Sequence, residues 1–206
     1  MKQYNNYTAD DFTFVVCAYQ ECEYLEEAIR SVKEQTISAK ILISTSTPND
    51  FIQGIADRYD IPVCVNRDGG QIKDYNFAMA LPETPLMMLM HQDEILAPAF
   101  LEKVIDALNH AKDPIIAFTN YLEMHNDEVD KKPSTMVRIK RMLLWPSLVH
   151  AWQGTWIGKR GIQLLGNPIT HPTVVCVKDK MPEPVFLEKY KACLLYTSPS
   201  PRDTER

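Results

Sequence analysis

The chain alternates short apolar runs with segments whose apolar residues recur at helical spacing, and this alternation extends over residues 12–122. Runs of four to eight β-branched or aromatic residues are typical of buried parallel strands, and apolar residues three and four apart are typical of a helix with one buried face. The pattern predicts strands at 12–18, 40–44, 61–66, 85–90 and 115–122, and helices at 24–32, 50–59, 72–80 and 98–108. We therefore expect an α/β fold, a mostly parallel, doubly wound sheet flanked by helices, with additional helices toward the C-terminus.

Composition excludes several other classes of protein. The 206 residues are 45% hydrophobic and 24% charged, with a formal net charge of -5, which is typical of a globular domain. No apolar run approaches the ~20 residues of a membrane helix, and no signal peptide is visible, so we expect a cytoplasmic protein. The acidic net charge argues against nucleic acid as a partner.

Familiar signatures of nucleotide, zinc and disulfide sites are absent from the sequence. None of the seven glycines forms a G-x-G-x-x-G or Walker A loop, and the five cysteines include no C-x-x-C pair. A nucleotide would therefore have to be held by other groups.

Polar side chains follow three of the predicted strands. Tyr-Gln-Glu stands at 19–21, a Ser/Thr/Asn/Asp-rich stretch at 44–50, and His-Gln-Asp-Glu at 91–94. Ligands of doubly wound sheets bind beyond the carboxyl ends of the strands. These three segments are accordingly the candidates for a binding site.

The sequence resembles the family 2 glycosyltransferases of the GT-A fold. The resemblance rests on Tyr-Gln-Glu at 19–21, Ser-Val-x-x-Gln-Thr at 31–36, Asp-Tyr-Asn-Phe-Ala at 74–78, His-Gln-Asp-Glu at 91–94 and Gly-Asn-Pro-Ile-Thr-His-Pro-Thr at 166–173. These motifs occur in order across about 12–192. The chain is most similar to the subgroup whose metal motif is His-Gln-Asp-Asp, with Glu94 where Asp often stands.

The resemblance implies roles for eight residues. Seven would bind the donor: Ala18, Tyr19, Glu21, Asp50, Asp74, His91 and Gln92. Of these, Ala18, Tyr19 and Glu21 would frame the base and ribose, and Asp50 would lie near the uracil. Asp93 would bind a divalent cation, Mn²⁺ or Mg²⁺, which prefers carboxylate and phosphate oxygens and would bridge the donor diphosphate.

Other interpretations of the same residues stay open. Residues 91–94 would also suit a polar turn after a strand, although His91 replaces the Asp that usually opens the metal motif. Asn49 or Asp50 would serve equally as a helix N-cap. His171 would suit an acceptor-side loop or a structural histidine.

The implied reaction is inverting transfer of a sugar from a nucleotide-sugar, expected to be a UDP-sugar, to a glycan or lipid-linked acceptor, as in polysaccharide biosynthesis. Such a displacement needs a carboxylate base. In the subgroup this base follows the segment matching 186–191, so we expect it beyond Ala192 and assign no catalytic base; Asp179 and Glu183 remain as nearby carboxylates.

The alternatives to this function are a nucleotide-sugar-binding fragment without turnover and, less well supported, a sugar-nucleotide nucleotidyltransferase, which would need a Gly-rich loop after the first strand.

Two further segments differ from the rest of the chain. Residues 193–206 resemble the translation of a sequencing-library adapter, so we expect 1–192 to be the glycosyltransferase-like domain, incomplete at its C-terminus, and 193–206 to be non-native. Residues 131–160 contain seven Lys or Arg, no Asp or Glu, and all three tryptophans. This segment is either a solvated basic face or a surface that attracts a diphosphate or anionic lipid at the inner face of the cell membrane.

Overall fold

The computed structural model describes residues 2–125, 128–129, 132–153, 155, 164 and 166–187. The chain divides into two compact units. The first comprises Met1–Ala117 and Val175–Leu194, and the second comprises Phe118–Val174 and Leu195–Arg206. The expected catalytic base and the adapter-like tail lie outside the described residues.

Strands and helices alternate along the first half of the chain, as predicted. The strands are β1 (Phe12–Ala18), β2 (Lys40–Thr45), β3 (Val63–Val65), β4 (Leu86–His91), β5 (Ile116–Phe118), β6 (Met124–His125), β7 (Glu128–Val129) and β8 (Val174–Val177). The helices are α1 (Leu25–Lys33), α2 (Asp50–Tyr59), α3 (Gln71–Ala80), α4 (Phe100–His110), α5 (Thr135–Leu144) and α6 (His150–Gln153).

Six of the strands form one sheet in the order β3-β2-β1-β4-β8-β5. β1 pairs in parallel with β2 and with β4, and β2 pairs in parallel with β3. β8 pairs antiparallel with β4, with Leu86 opposite Val177. The mostly parallel sheet is therefore as expected, while the antiparallel strand β8 was not predicted from the sequence.

Helices cover both faces of this sheet. Alternate residues of β1 and β4, such as Phe14 and Met88, pack with α1, α2 and α4 in one buried cluster. The residues between them, such as Val15 and Met87, pack with α3 and Phe186 in a second cluster. Because successive side chains of a strand point to opposite faces, both faces of β1 and β4 are buried, which explains their continuous apolar sequences.

Three predicted boundaries differ from the structure. β3 and β5 are each three residues long and shorter than expected. Pro98 precedes α4 instead of occupying its first turn, because Ala99 is the N-cap. At the start of α2 it is Asn49 that caps the helix, since its side chain accepts a hydrogen bond of 2.9 Å from the Ile52 amide, and Asp50 is the first helical residue.

The second unit contains the β6-β7 hairpin and the helices α5 and α6. Ser134 caps α5, and Arg141 donates a hydrogen bond of 2.8 Å to the Tyr121 carbonyl. The rings of Trp145 and Trp152 meet edge to face, with centroids 5.7 Å apart. Among the helices within the described ranges, none has the length and apolar character needed to cross a membrane. Of the Lys, Arg and Trp residues in the predicted basic segment, four lie outside those ranges: Lys131, Trp156, Lys159 and Arg160.

Candidate functional site

The predicted polar segments meet at the carboxyl edge of the parallel strands. Cys17 lies opposite Ser44 in β2 and opposite His91 in β4. The residues that follow these positions therefore leave the sheet side by side, which brings the turn at 19–21 between the turn at 46–50 and the turn at 92–94. The register therefore brings the three predicted segments together, and their role as one binding site stays a prediction.

Hydrogen bonds hold the turn after β1 from both sides. The Tyr19 amide donates to Oε1 of Gln92 at 2.8 Å, and Nε2 of Gln92 donates to the Tyr19 carbonyl at 3.1 Å. On the other side, the Gln20 amide donates to Oγ1 of Thr47 at 2.6 Å. Gln20 has a φ of 56°, in the left-handed region that costs a residue with a side chain about 1–2 kcal/mol. The turn thus holds a strained conformation that its two neighbours support.

The side chains of this turn are exposed to solvent, whereas that of Ala18, the last residue of β1, is buried. Tyr19 is 55% exposed, and Glu21 is also exposed. Ala18 is buried at the end of β1 and has only its main chain to offer a ligand. Beside the turn, an open cleft of about 470 Å³ is lined by Glu21, Cys22, Glu23, Tyr24 and Phe51. Asp50 is exposed and immediately precedes Phe51 in this lining.

Asp74 is bound by the protein itself. Its Oδ2 accepts a hydrogen bond of 2.8 Å from the Ser46 hydroxyl, and its Oδ1 accepts one of 2.7 Å from the Asn66 side chain. Ser46 follows β2 and Asn66 follows β3, so the carboxylate ties two strand ends to the first turn of α3. Asp74 therefore lies near the other predicted residues, but both of its oxygens already have partners within the protein, and its role in donor binding stays a prediction.

A cluster of potential metal ligands follows β4. One ligand atom each from His91, Asp93 and Glu94 lies within 4.8 Å of the other two. Asp93 is exposed, whereas the Glu94 side chain is only 14% exposed. Oε2 of Glu94 is buried without a hydrogen-bond partner. A buried carboxylate oxygen without a partner is costly unless a cation or donor group binds it, so this donor set fits a divalent cation.

Burial shifts the pKa of Glu94 and of His91 in opposite directions. It raises the pKa of Glu94 from an ordinary 4.5 to about 7, and it lowers the pKa of His91. Burial also raises the pKa of Tyr75, whose hydroxyl lies 3.1 Å from Nε2 of His91. The other ring nitrogen of His91, Nδ1, is 3.6 Å from Oε1 of Glu94. His91 therefore presents a neutral imidazole between a phenol and a carboxyl group.

Cys17 lies close to the carboxylates of Glu94 and Asp74 but is not one of the potential metal ligands. Burial, with smaller contributions from the charges of Glu94 and Asp74, raises the pKa of its thiol to about 12. Because the thiolate is the metal ligand and the nucleophile, a thiol with this pKa is inert near neutral pH.

The structure removes Asp179 from the candidates for a catalytic base. Val177 pairs with Leu86 at the start of β4, and the Lys178 amide donates to the Pro85 carbonyl at 2.8 Å. Asp179 follows directly and therefore lies at the opposite edge of the sheet from Asp93. Glu183 is exposed in the segment that follows.

That segment returns along α3. Both polar atoms of the Asn76 side chain bond the Phe186 main chain, with Nδ2 donating to the carbonyl at 2.8 Å and Oδ1 accepting from the amide at 2.9 Å. The Lys178 ammonium bonds the carbonyls of Ala80 and Pro82, so the chain advances from the end of α3 toward its beginning. The beginning of α3 follows β3 and lies at the site edge.

Some members of the site were not predicted from the sequence. Asn66 and Tyr75 were not named as site residues. Thr47 was included only within the polar stretch 44–50, and Glu94 only within the segment 91–94, without a role of their own. The polar stretch after β2 was the available signal for Thr47. No pattern in the sequence indicates that Tyr75 reaches His91, since the two residues lie on different elements.

Comparison with known proteins identifies the family. A family model described as glycosyl transferase family 2 matches residues 13–175. No curated protein matches the chain. Among solved structures, glucosyl-3-phosphoglycerate synthase from Mycobacterium tuberculosis in complex with UDP is similar, with a TM-score of 0.54 and 12% identity over 86% of this chain and 64% of that protein. Its complex with Mn²⁺, UDP and glucosyl-3-phosphoglycerate gives a TM-score of 0.52 at 12% identity, over 82% of this chain and 57% of that one.

TarS from S. aureus gives a TM-score of 0.42 and is 19% identical over 47% of this chain, which corresponds to 19% of its own length. The chain therefore spans about a fifth of TarS and less than two thirds of the synthase. The similarity to the synthase confirms the expected GT-A fold. Because the family model covers most of the sequence, this chain belongs to glycosyl transferase family 2.

Proposed function

We propose that the chain binds the donor of a glycosyltransferase that moves a sugar from a UDP-sugar to a hydroxyl group of a glycan or lipid-linked acceptor, with inversion. The buried, unpartnered oxygen of Glu94 is the observation that carries this proposal, because it lies in a ligand cluster with Asp93 at the same sheet edge as Tyr19. Family membership supports the transfer chemistry. The synthase of similar fold has UDP and Mn²⁺ in its structures, which supports a uridine nucleotide and a cation here.

The turn after β1 would hold the nucleoside. The exposed ring of Tyr19 offers an apolar face on which uracil can stack, and the Glu21 carboxylate can accept hydrogen bonds from ribose hydroxyls. Asp50 is exposed at the start of α2 and can accept the N–H of uracil. Asp74 would act through Ser46 and Asn66 by fixing the strand ends, since both of its oxygens bond those residues.

Asp93 and Glu94 would hold the cation, and the neutral imidazole of His91 would support it. We propose Mn²⁺ over Mg²⁺ because a nitrogen ligand suits Mn²⁺ better than the oxygen-demanding Mg²⁺. When bound, such a cation neutralises the charge that develops on the departing nucleoside diphosphate. The expectation that the base that deprotonates the acceptor hydroxyl follows residue 192 stays a prediction.

Replacement of Asp93 by Asn tests the cation site. We expect Mn²⁺-dependent UDP affinity, measured by calorimetry, to fall about tenfold or more, since a contact with a charged group contributes about 1.5–3 kcal/mol. Asp106→Asn is the matched control, because Asp106 is an exposed carboxylate on α4 that faces His110. Equal UDP affinity in wild type and Asp93→Asn would refute the assignment.

A transfer assay distinguishes the enzyme from a binding protein. Wild-type protein is incubated with UDP-glucose or UDP-N-acetylglucosamine, Mn²⁺ and candidate acceptor glycans, and UDP release is measured. Acceptor-dependent release supports a glycosyltransferase. UDP binding without release for any donor supports the alternative, a nucleotide-sugar-binding fragment without turnover.

We also propose that the second unit contacts an anionic membrane surface, which would place the protein at the cytoplasmic face. Four large apolar side chains of the segment 136–148 are more than half exposed: Met136, Met142, Trp145 and Leu148. Arg138 is exposed on the same helix, and basic residues among exposed apolar ones favour anionic lipid. Co-sedimentation with phosphatidylserine vesicles at low salt, but not with phosphatidylcholine vesicles, is the expected result. Absence of co-sedimentation with both would exclude this contact.

A further inference from the structure

Both polar atoms of the Gln92 side chain bond the main chain of one residue. Its oxygen accepts from the Tyr19 amide and its nitrogen donates to the Tyr19 carbonyl, at 2.8 and 3.1 Å. The last residues of β1 and β4 that pair are Cys17 and His91, so Gln92 stands directly after the pairing ends. Its amide supplies to Tyr19 one acceptor and one donor, which in a continued parallel strand would come from the main chain of two different residues.

The turn that contains Tyr19 needs such support. Gln20 has a positive φ, and its amide donates a hydrogen bond to the hydroxyl of Thr47, which follows β2. A residue with a side chain keeps this conformation only where surrounding contacts hold it. Without Gln92, Tyr19 would lose its bonds to β4 and the turn would be free to relax on that side.

We propose that Gln92 is a positioning residue, which sets the Tyr19 ring for the nucleoside end of the donor without touching the donor itself. This inference rests on the proposed function, and it revises the sequence-based expectation that Gln92 contacts the donor. A loop that is ordered before binding loses less conformational entropy when the ligand binds. The hydrogen bonds of Gln92 should therefore strengthen binding of the nucleoside.

The competing role for Gln92 is direct contact with the diphosphate or the cation, because Asp93 is its neighbour in the chain. The two roles differ in which part of the donor loses affinity. A positioning residue acts on the nucleoside, so uridine alone should be affected. A residue that contacts the diphosphate or the cation should instead change the factor by which Mn²⁺ strengthens UDP binding.

Gln92→Met tests this, since Met has a similar length, carries no charge and makes neither hydrogen bond. Dissociation constants for uridine and for UDP are measured by NMR titration and calorimetry, with and without Mn²⁺. We expect both ligands to bind about tenfold more weakly while the Mn²⁺ factor for UDP stays unchanged. Unchanged uridine affinity, or a reduced Mn²⁺ factor, would overturn the proposal.

Two further variants control for folding and location. Thr47→Val removes the support on the β2 side and should weaken uridine in the same pattern, so the proposal remains falsifiable if Gln92→Met does not fold. Gln3→Met alters an exposed glutamine in the segment before β1, whose side chain donates a hydrogen bond to the Asn5 carbonyl, and should change neither affinity.

Amide hydrogen exchange separates this proposal from the proposed function. Exchange of the Tyr19 amide should accelerate in Gln92→Met and stay unchanged in Gln3→Met, with no nucleotide present. Wild-type protein that binds neither uridine nor UDP would refute the proposed function. A Tyr19 amide whose exchange is the same in wild type and Gln92→Met would refute the positioning role on its own.

Discussion

Replacement of Glu94 by Gln should stabilise the free protein at alkaline pH while it removes cation binding. The Glu94 side chain is 14% exposed, and one of its oxygens is buried without a partner. Burial therefore raises its pKa to about 7, from an ordinary value of 4.5. Gln keeps the shape of the protonated carboxyl group but never ionises, so it avoids the cost of a buried charge.

The sign and the magnitude of this stability difference follow from the pKa of Glu94 in the unfolded and in the folded protein. A carboxyl group whose pKa is raised by folding contributes its stability fully below pH 4.5 and loses it as the pH rises through 7. Since one pKa unit corresponds to about 1.4 kcal/mol, the shift from 4.5 to about 7 costs the wild type about 3 kcal/mol at pH 8. We expect Glu94→Gln to be more stable than wild type by up to this amount at pH 8, and by much less at pH 5.

Urea unfolding of both proteins at pH 5, 6, 7 and 8, in buffer with a chelator, measures this difference. Glu83→Gln is the control, since Glu83 is exposed in the loop before β4 and should give a small difference that does not grow with pH. Added Mn²⁺ should stabilise wild type at pH 8 but not Glu94→Gln. A stability difference that is independent of pH, or a variant less stable than wild type at pH 8, would refute the reasoning.

Three further predictions concern the pH dependence of cation binding and the hydrogen bonds of Asn76 and Gln35. Mn²⁺ affinity of wild type should weaken by up to about tenfold per pH unit below 7, because protonated Glu94 must lose its proton, and calorimetry showing no change between pH 6 and 8 would contradict this. Asn76→Ala should lower the free energy of unfolding by about 1–3 kcal/mol, since both hydrogen bonds to Phe186 are lost; a urea-unfolding change under about 0.5 kcal/mol would exclude an anchoring role. Gln35→Leu should cost about 2–4 kcal/mol in the same assay, because buried Gln35 accepts from the Leu101 amide and donates to two carbonyls; a variant as stable as wild type would show that those groups find other partners.

The parallel part of the sheet could be predicted from the sequence because each strand is buried on both faces and is followed by a helix with one apolar face. β3 was predicted too long for a local reason. Asp60 ends α2 in a left-handed conformation, and the Ile61 amide still bonds the Ala56 carbonyl, so the strand begins only at Val63. β8 could not be predicted, because its pairing with β4 joins residues far apart in sequence and four apolar residues carry no periodicity.

That the polar segments after β1, β2 and β4 meet could likewise be predicted, but the contacts between them could not. Polar residues after strands indicate where a ligand binds in a doubly wound sheet. Which of them face the ligand depends on side-chain pairing across the strand ends. Gln92 bonds Tyr19 and Asp74 bonds Ser46, and neither pair has a signal in the spacing of the sequence. The unpartnered oxygen of Glu94 is visible only once burial is known.

The position of β8 has a consequence for synthesis on the ribosome. β4 pairs with β1 on one side and with β8 on the other, and β8 is made more than 80 residues later. During that interval one edge of β4 is unpaired, although its side chains Met87, Met88 and Met90 are among the most buried of the finished fold. An apolar strand with an open edge readily pairs with other chains. The nascent protein should therefore aggregate readily until residue 177 has emerged, and chains that end before β8 should accumulate as insoluble material.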